Sequence, residues 1–234
     1  AADDEDALAI TRRIVAHLGE PPRLRWTRAA AEPPLHDAQQ LYGLARSDGA
    51  DNLDCREIVA RLVDAGHLQE FKALHSETLV CGFARIEGFE IGLLANNGEL
   101  TAQACAKGAH FILLCCQRDI PLLFMVDSPG FDGIDDAERQ GIGKHGAKLM
   151  NAVANADVPK FTLITGAAYG AAYYAMCGRA FKPNALLMWP NARAASVRGE
   201  GDEVAGALNW ARHLWRDMVI DPLETRAVLA HLLD

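Results

Sequence analysis

The sequence predicts an α/β architecture on three observations. Half of its 234 residues are hydrophobic and 23% are charged, enough apolar surface for a sizeable core in one domain. Strand-length and helix-length patterns alternate through the middle of the chain. Two of the strand-length runs, Ile120 to Val126 and Lys160 to Ile164, are apolar on both alternating faces, which marks strands covered on both sides and joined by crossover helices.

Taken in order, the elements begin with Asp3 to Leu18, an amphipathic helix with Leu8, Ile14, Val15 and Leu18 on related faces, stopped by Gly19 and the Pro21-Pro22 pair. A connector rich in proline, alanine and charge leads through Pro33-Pro34 to a short helix at Ala38 to Leu44. Asp54 to Ala65 then alternates apolar and charged positions at helical spacing, closed by Gly66. Thr78 to Ile86 and Phe89 to Leu94 are strand-like, and Glu87-Gly88 between them predicts a hairpin. From Thr101 the period becomes helical, with Ala102, Cys105, Ala109, Ile112 and Cys116 on one face. After the buried strand at Ile120, Asp135 to Ala156 is mostly helical, Lys160 to Ile164 is a strand, and Tyr169 to Gly178 is helical. Helical segments at Val204 to Trp215 and Pro222 to Leu233 end the chain. Residues 1–70 thus read as a helical lead-in packed on a body formed by 71–234.

Composition excludes several function classes. A net charge of -8 leaves no broad basic face for nucleic acid, so an anionic substrate would need a local basic pocket. The apolar runs are too short to span a membrane, and no secretory signal opens the sequence. The six cysteines form no CxxC pair and no Cys/His cluster, so a metal site is not expected and the thiols read as small core residues of a reducing compartment. GxSxG, HExxH and Walker motifs are absent. The glycines at 141, 143 and 146 match GxGxxG literally but follow charged Asp135 to Arg139, so they read as a close-packed helix face.

Two strand-to-helix transitions carry the candidate chemistry. Asp127-Ser128-Pro129-Gly130-Phe131-Asp132-Gly133 follows one buried strand, and Gly166-Ala167-Ala168-Tyr169-Gly170-Ala171-Ala172 follows the next. Side chains this small let a ligand approach the backbone, and N–H groups at a helix start can hold an oxyanion. The same residues would also suit close helix-on-sheet packing or a plain Pro-Gly turn.

Beyond these patterns, Phe71-Lys72, Thr78-Leu79-Val80, Gly82-Phe83-Ala84-Arg85-Ile86, Asn96-Asn97-Gly98, the run Cys115 to Phe124, Met176 to Phe181 and Trp189-Pro190-Asn191-Ala192-Arg193 occur in an order that resembles the carboxyltransferase β subunits of biotin-dependent acyl-CoA carboxylases, in the methylcrotonoyl-CoA and geranoyl-CoA branch. The resemblance runs from roughly Asp6 to Ala227. It implies a crotonase-like spiral of ββα units with peripheral helices, residues 71–234 being the second, biotin-facing carboxyltransferase domain. It further implies CO2 transfer from carboxybiotin to an acyl-CoA such as 3-methylcrotonoyl-CoA, with backbone stabilisation of an oxyanion and no metal. By motif position the oxyanion hole falls on the N–H groups of Ala171 and Ala172, and the biotin and substrate contacts on Gly130, Phe131, Gly166, Tyr169, Gly170, Tyr173 and Tyr174. No lysine is flanked by methionines, so biotin is expected on a separate carrier or biotin carboxylase subunit. The other implied partners are an N-terminal carboxyltransferase domain and further copies of the chain, in the cytoplasm or the mitochondrial matrix.

The sequence departs from this family in two places. The family branch reads Gly-Gly-Ser-Tyr-Gly-Ala-Gly where this chain has Gly166 to Ala172, and after Trp189 the family's Met-Gly-Gly turn and long helical segment give way to Ser196-Val197-Arg198-Gly199-Glu200-Gly201 and an early jump to the tail at Trp215. Two other readings therefore stand beside the enzyme: a non-catalytic, degenerate interaction subunit, and a stand-alone crotonase-fold decarboxylase or hydrolase.

Overall fold

The computed structural model describes residues 1–17, 28–45, 53–131, 133, 136–196 and 205–234. Its first helix, α1 (Asp4–His17), carries three acidic residues in its first turn, which complement the helix dipole. Leu8, Ile14 and Val15 are each more than half exposed on it, so this apolar stripe is not covered by the body. The stops expected at Gly19 and Pro21-Pro22, and Leu18 itself, lie outside the described residues.

The short helix expected at Ala38 to Leu44 forms as a 3-10 turn (Ala38–Gln40) running into α2 (Leu41–Leu44). The segment from Asp54 to Ala65 is not one helix, as its periodicity suggests. Asp54 caps α3 (Cys55–Val59) by accepting the Arg56 N–H, after which the backbone tightens into turns, and Ala65 takes a left-handed φ of 51°. Asp64 accounts for the break. Its carboxylate accepts the N–H groups of Glu87 and Gly88 at 2.9 and 2.8 Å and pairs with Arg226 at 2.8 Å, so the chain bends to seal the hairpin turn.

That hairpin is the start of the sheet. β1 (Gln69–Glu70) lies antiparallel to β2 (Leu79–Ile86), which pairs antiparallel with β3 (Phe89–Asn96) through the predicted Glu87-Gly88 turn. Both turn residues have positive φ, 50° and 82°, the primed geometry that matches strand twist. A side chain at Gly88 would run into the Ala29 carbonyl at 2.1 Å. Thr101 then caps α4 (Ala102–Gln117) by accepting the Ala104 N–H. Gly108 lets this helix press onto Leu79 and Leu149, both within 3.1 Å of where a Cβ would stand.

The rest of the sheet is parallel: β3 pairs β4 (Leu122–Ser128), β4 pairs β5 (Lys160–Tyr169), β5 pairs β6 (Ala185–Met188) and, further along, β7 (Arg193–Ala195), and β6 pairs β8 (Met218–Val219). Phe124, Leu122, Leu163 and Leu187 are fully buried, as strands covered on both faces require. Crossovers are made by α4, by α5 (Ile142–Asn155) and by α6 (Gly170–Ala175); α7 (Ala207–Arg212) and α8 (Thr225–Leu233) close the far side. The tail is anchored by Trp189, whose Nε1 donates to Thr225 Oγ1 at 2.9 Å inside the core.

The terminal helices also need correction against the pattern. The segment expected from Val204 to Trp215 is helical only over α7, and Val204 lies outside the described residues. The GxGxxG glycines do not share one packed face. A Cβ on Gly146 would stand 3.4 Å from the Phe131 ring, but Gly143 faces open space and Gly141 caps α5 with a φ of 83°.

Candidate active site

The parallel register brings both small-residue segments to the same edge of the sheet. Ser128, the last residue of β4, stands beside Ala168 of β5, so the Gly130-Phe131 loop and the 166–172 segment leave adjacent strands at their C-terminal ends. This is where open α/β sheets place ligands.

Ser128 fixes the first loop. Its Oγ lies 3.2 Å from the Gly98 carbonyl and 3.1 Å from that of Gly130, and it accepts the Gly130 N–H at 3.3 Å. Gly130 has a φ of 148°, and its carbonyl accepts the Leu100 N–H at 3.0 Å. Nothing stands within 4 Å of the position its Cβ would take, so one side of this loop is open. Phe131 is half-buried, bridged to Leu100 and packed on Gly146 of α5. Asp132 lies outside the described residues.

The second segment differs from its reading as a loop and helix. Gly166 to Tyr169 continue β5, because Arg193 to Ala195 of β7 pair with Ala167 to Tyr169 and hold them extended. The helix after it is correspondingly short: α6 ends at Ala175 and Cys177 takes a left-handed φ of 58°. Within 166–172 only Gly170 has a positive φ, 56°, and its missing Cβ faces the Ser196 carbonyl at 3.4 Å. The alanines at 167, 168 and 172 therefore cost nothing in backbone conformation. Gly166 must stay small for another reason: a Cβ there would lie 2.3 Å from Asp127 Oδ1.

Asp127 is the residue that sequence reasoning passed over, although it heads the first motif. Its Oδ1 accepts the Ala167 N–H at 2.8 Å, tying the end of β4 to the strand that leads into α6. Burial pushes its carboxyl above the usual aspartate range, and the Ala167 hydrogen bond opposes that shift. The only signal available in advance was an ionisable residue at the end of an otherwise apolar strand.

Ala171 is exposed and Ala172 buried, both in the first turn of α6, where backbone N–H groups have no intrahelical acceptor. Tyr169 and Gly170 are half-buried beside them. Tyr173 and Tyr174 part company. The Tyr173 ring is 4% exposed, its hydroxyl accepts the Arg179 N–H at 3.0 Å, and burial pushes the phenol up to about 12, so it braces the helix from beneath. Tyr174 is 44% exposed, its ring tilted by 52° against that of Tyr173 with centroids 5.2 Å apart.

The Trp189-Pro190-Asn191 motif supports this site from behind. The Trp189 N–H donates to the Ile164 carbonyl, and Asn191 Nδ2 donates to the Thr165 carbonyl at 3.0 Å, steering β5 into its final turn. The altered turn at Val197 to Gly201 lies outside the described residues. Among the described residues no three His, Cys, Asp or Glu side chains gather as a metal site, and no helix is long and apolar enough to cross a membrane.

Comparison with known proteins gives this geometry a context. The carboxyl transferase domain model matches residues 1–209. The methylcrotonoyl-CoA carboxylase β chain of Dictyostelium discoideum is 47% identical over 200 positions, covering 86% of this chain and 34% of that protein. The biotin-dependent 3-methylcrotonyl-coenzyme A carboxylase β1 subunit of Mycobacterium tuberculosis is 40% identical over 266 positions, covering 98% of this chain and 50% of that one. The crystal structure of the P. aeruginosa geranyl-CoA carboxylase β subunit superposes with a TM-score of 0.86 at 37% identity, over all of this chain and 51% of that chain. The chain thus spans a third to a half of the length of these relatives, and its fold is the crotonase-like one they share.

Proposed function

The chain belongs to the carboxyl transferase domain family, and from that premise we propose that it is the biotin-side half of an acyl-CoA carboxyltransferase, receiving the carboxyl group from carboxybiotin on a separate carrier chain and passing it to an acyl-CoA of the 3-methylcrotonoyl type. The observation that carries this reading is the first turn of α6: the N–H groups of Ala171 and Ala172 stand free of intrahelical acceptors at the C-terminal edge of the parallel sheet.

The residues present fit a biotin ring. The Ala171 and Ala172 N–H groups would hold its ureido oxygen, Gly130 leaves space beside it, and half-buried Tyr169 and exposed Tyr174 lie within three residues of these donors in the chain. Carboxybiotin, when bound, supplies the carboxyl group. The chain itself supplies positioning. Two N–H donors fixed by the α6 turn stabilise an oxygen as negative charge grows on it, without reorganising. Asp127 keeps the Ala167 N–H in register, so the donors do not drift as the strand ends. Gly130 keeps a side chain out of the approach, and Gly166 leaves room for the Asp127 carboxylate.

An N-terminal carboxyltransferase domain completes the acyl-CoA side, and copies of the chain assemble as carboxylase β subunits do, in the bacterial cytoplasm or the mitochondrial matrix. A second reading, a non-catalytic interaction subunit, draws on one finding. The 266-position alignment runs about 37 positions longer than the part of this chain it covers, so the relative carries about that many positions with no counterpart here. Co-purification with a biotinylated polypeptide and an N-terminal half, followed by a carboxyl-transfer assay on the recovered complex, separates the two. Transfer supports the enzyme; a complex that forms but transfers nothing supports the interaction subunit.

A further inference from the structure

Arg216, in the turn between α7 and β8, is a buried cation without a counter-ion among the described residues. It is 3% exposed, its Nη1 donates to Met188 Sδ, a weak acceptor, and its Nε and Nη2 have no hydrogen-bond partner. Asp217, the next residue, does not serve it: both carboxylate oxygens lie 2.9 Å from Arg179 Nη1, and Oδ2 also accepts the Leu186 N–H at 2.8 Å. Burial pulls the Arg216 guanidinium pKa down to about 10, and no acidic group opposes that shift. Arg226, by contrast, meets Asp64 and Glu87.

The two nitrogens without acceptors belong together. Nε and Nη2 form one edge of the planar guanidinium, the edge that takes a carboxylate through two parallel N–H···O bonds. A buried guanidinium with that edge unmatched is costly, and an oxyanion of matching shape both neutralises the charge and satisfies the donors. The fold places this edge behind α6. Thr162 of β5 is in register with Leu186 of β6, whose side chain shares a face with Met188 two residues on. Thr162 Oγ1 reaches the Cys177 carbonyl just past α6, so α6 covers this face. Trp215 and Asp217 on either side of Arg216 are exposed, so its backbone is at the surface and a small ligand has a short path inward.

We propose that the Nε–Nη2 edge of Arg216 is a binding site for a small planar oxyanion of the carboxylate class, bicarbonate or a monocarboxylate, held side-on behind α6. The site uses no residue of the Gly130-Phe131 loop or the 166–172 segment, so it stands or falls separately from carboxyl transfer.

The test uses the full chain with isotope-labelled arginine. The Arg216 Nε–H cross-peak, assigned by its loss in Arg216→Met, should shift saturably on titration with sodium acetate and, at mildly alkaline pH, with sodium bicarbonate. Sodium chloride at the same ionic strength should not reproduce the shift, because a single spherical ion does not match the two-pronged edge. Thermal unfolding gives a second readout: acetate at a tenfold excess over its Kd should raise the parent midpoint by about 3 °C beyond the chloride control, an increment that Arg216→Met loses. Methionine removes an unpaired buried charge, so without added oxyanion Arg216→Met should unfold at or above the parent midpoint. Arg216→Lys keeps the charge but not the fork and should bind acetate about tenfold or more weakly. No saturable shift, an equal response to chloride, or a midpoint increment retained by Arg216→Met overturns the proposal. So does an Arg216→Met variant that is less stable than the parent without oxyanion, which would mean that the guanidinium is already paired. A shift that grows with protein concentration alone also overturns it, since the carboxylate would then come from a second copy.

Discussion

Replacing Gly166 with alanine puts a methyl group where Asp127 already sits. The new Cβ would lie 2.3, 2.5 and 2.7 Å from Asp127 Oδ1, Cγ and Oδ2, distances that real contacts do not reach, so the carboxylate must move. Overpacking of this kind costs about 1–3 kcal/mol. Displacement also breaks the 2.8 Å bond from the Ala167 N–H and leaves that donor unpaired, a further loss of about 1–3 kcal/mol. Together they set an expected destabilisation of about 3 kcal/mol for Gly166→Ala, read as a fall in the urea midpoint at constant slope. The partner variant is what makes this diagnostic. In an Asp127→Ala background the obstacle is gone, so the same Gly166→Ala change should cost less than about 1 kcal/mol, a coupling of about 2 kcal/mol between the two sites. Equal costs in both backgrounds would refute the contact.

Three other outcomes rest on the same geometry. Arg226→Met removes the cation that holds the buried Asp64 carboxylate at 2.8 Å and links the tail to the hairpin turn, and denaturant unfolding should show a loss of about 3–5 kcal/mol. For Asp127, burial raises the folded-state value, so its stabilising contribution is complete below the unfolded value of about 3.9 and is lost as pH rises through the higher folded one. Asp127→Asn keeps an acceptor for Ala167 and does not titrate; its stability relative to the parent should therefore improve as pH is raised from acid toward neutral, and a pH-independent difference would contradict the burial argument. Ala171→Pro removes one N–H in the first helical turn, where proline is tolerated, and should leave the thermal midpoint nearly unchanged while lowering carboxyl transfer by about 100-fold or more in a reconstituted complex.

Local chemistry made the hairpin legible: Glu87-Gly88 supplies two residues able to take positive φ between alternating strands, and both do. Thr101 before a helical period likewise announced the start of α4. What the sequence concealed was set by distant contacts. Gly166 to Ala168 have weak strand preference, and they extend only because β7, some 25 residues later, pairs with them. The periodicity over Asp54 to Ala65 is real, but Asp64 binds the hairpin turn and the chain bends to let it. The short strands β6 and β8 carry no pattern long enough to read. At the candidate site, the positions of the small residues could be read from the sequence but their reasons could not: Gly166 is small for Asp127, Gly170 for its backbone angle, and Gly146 for Phe131.

The most direct test of the central claim is an amide NMR titration of the isotope-labelled chain with the biotinylated carrier domain. The account predicts saturable shifts concentrated at Gly130, Phe131 and the Gly170 to Ala172 turn. Shifts confined to other surfaces, or none at saturating carrier, would contradict the assignment of this edge of the sheet to biotin.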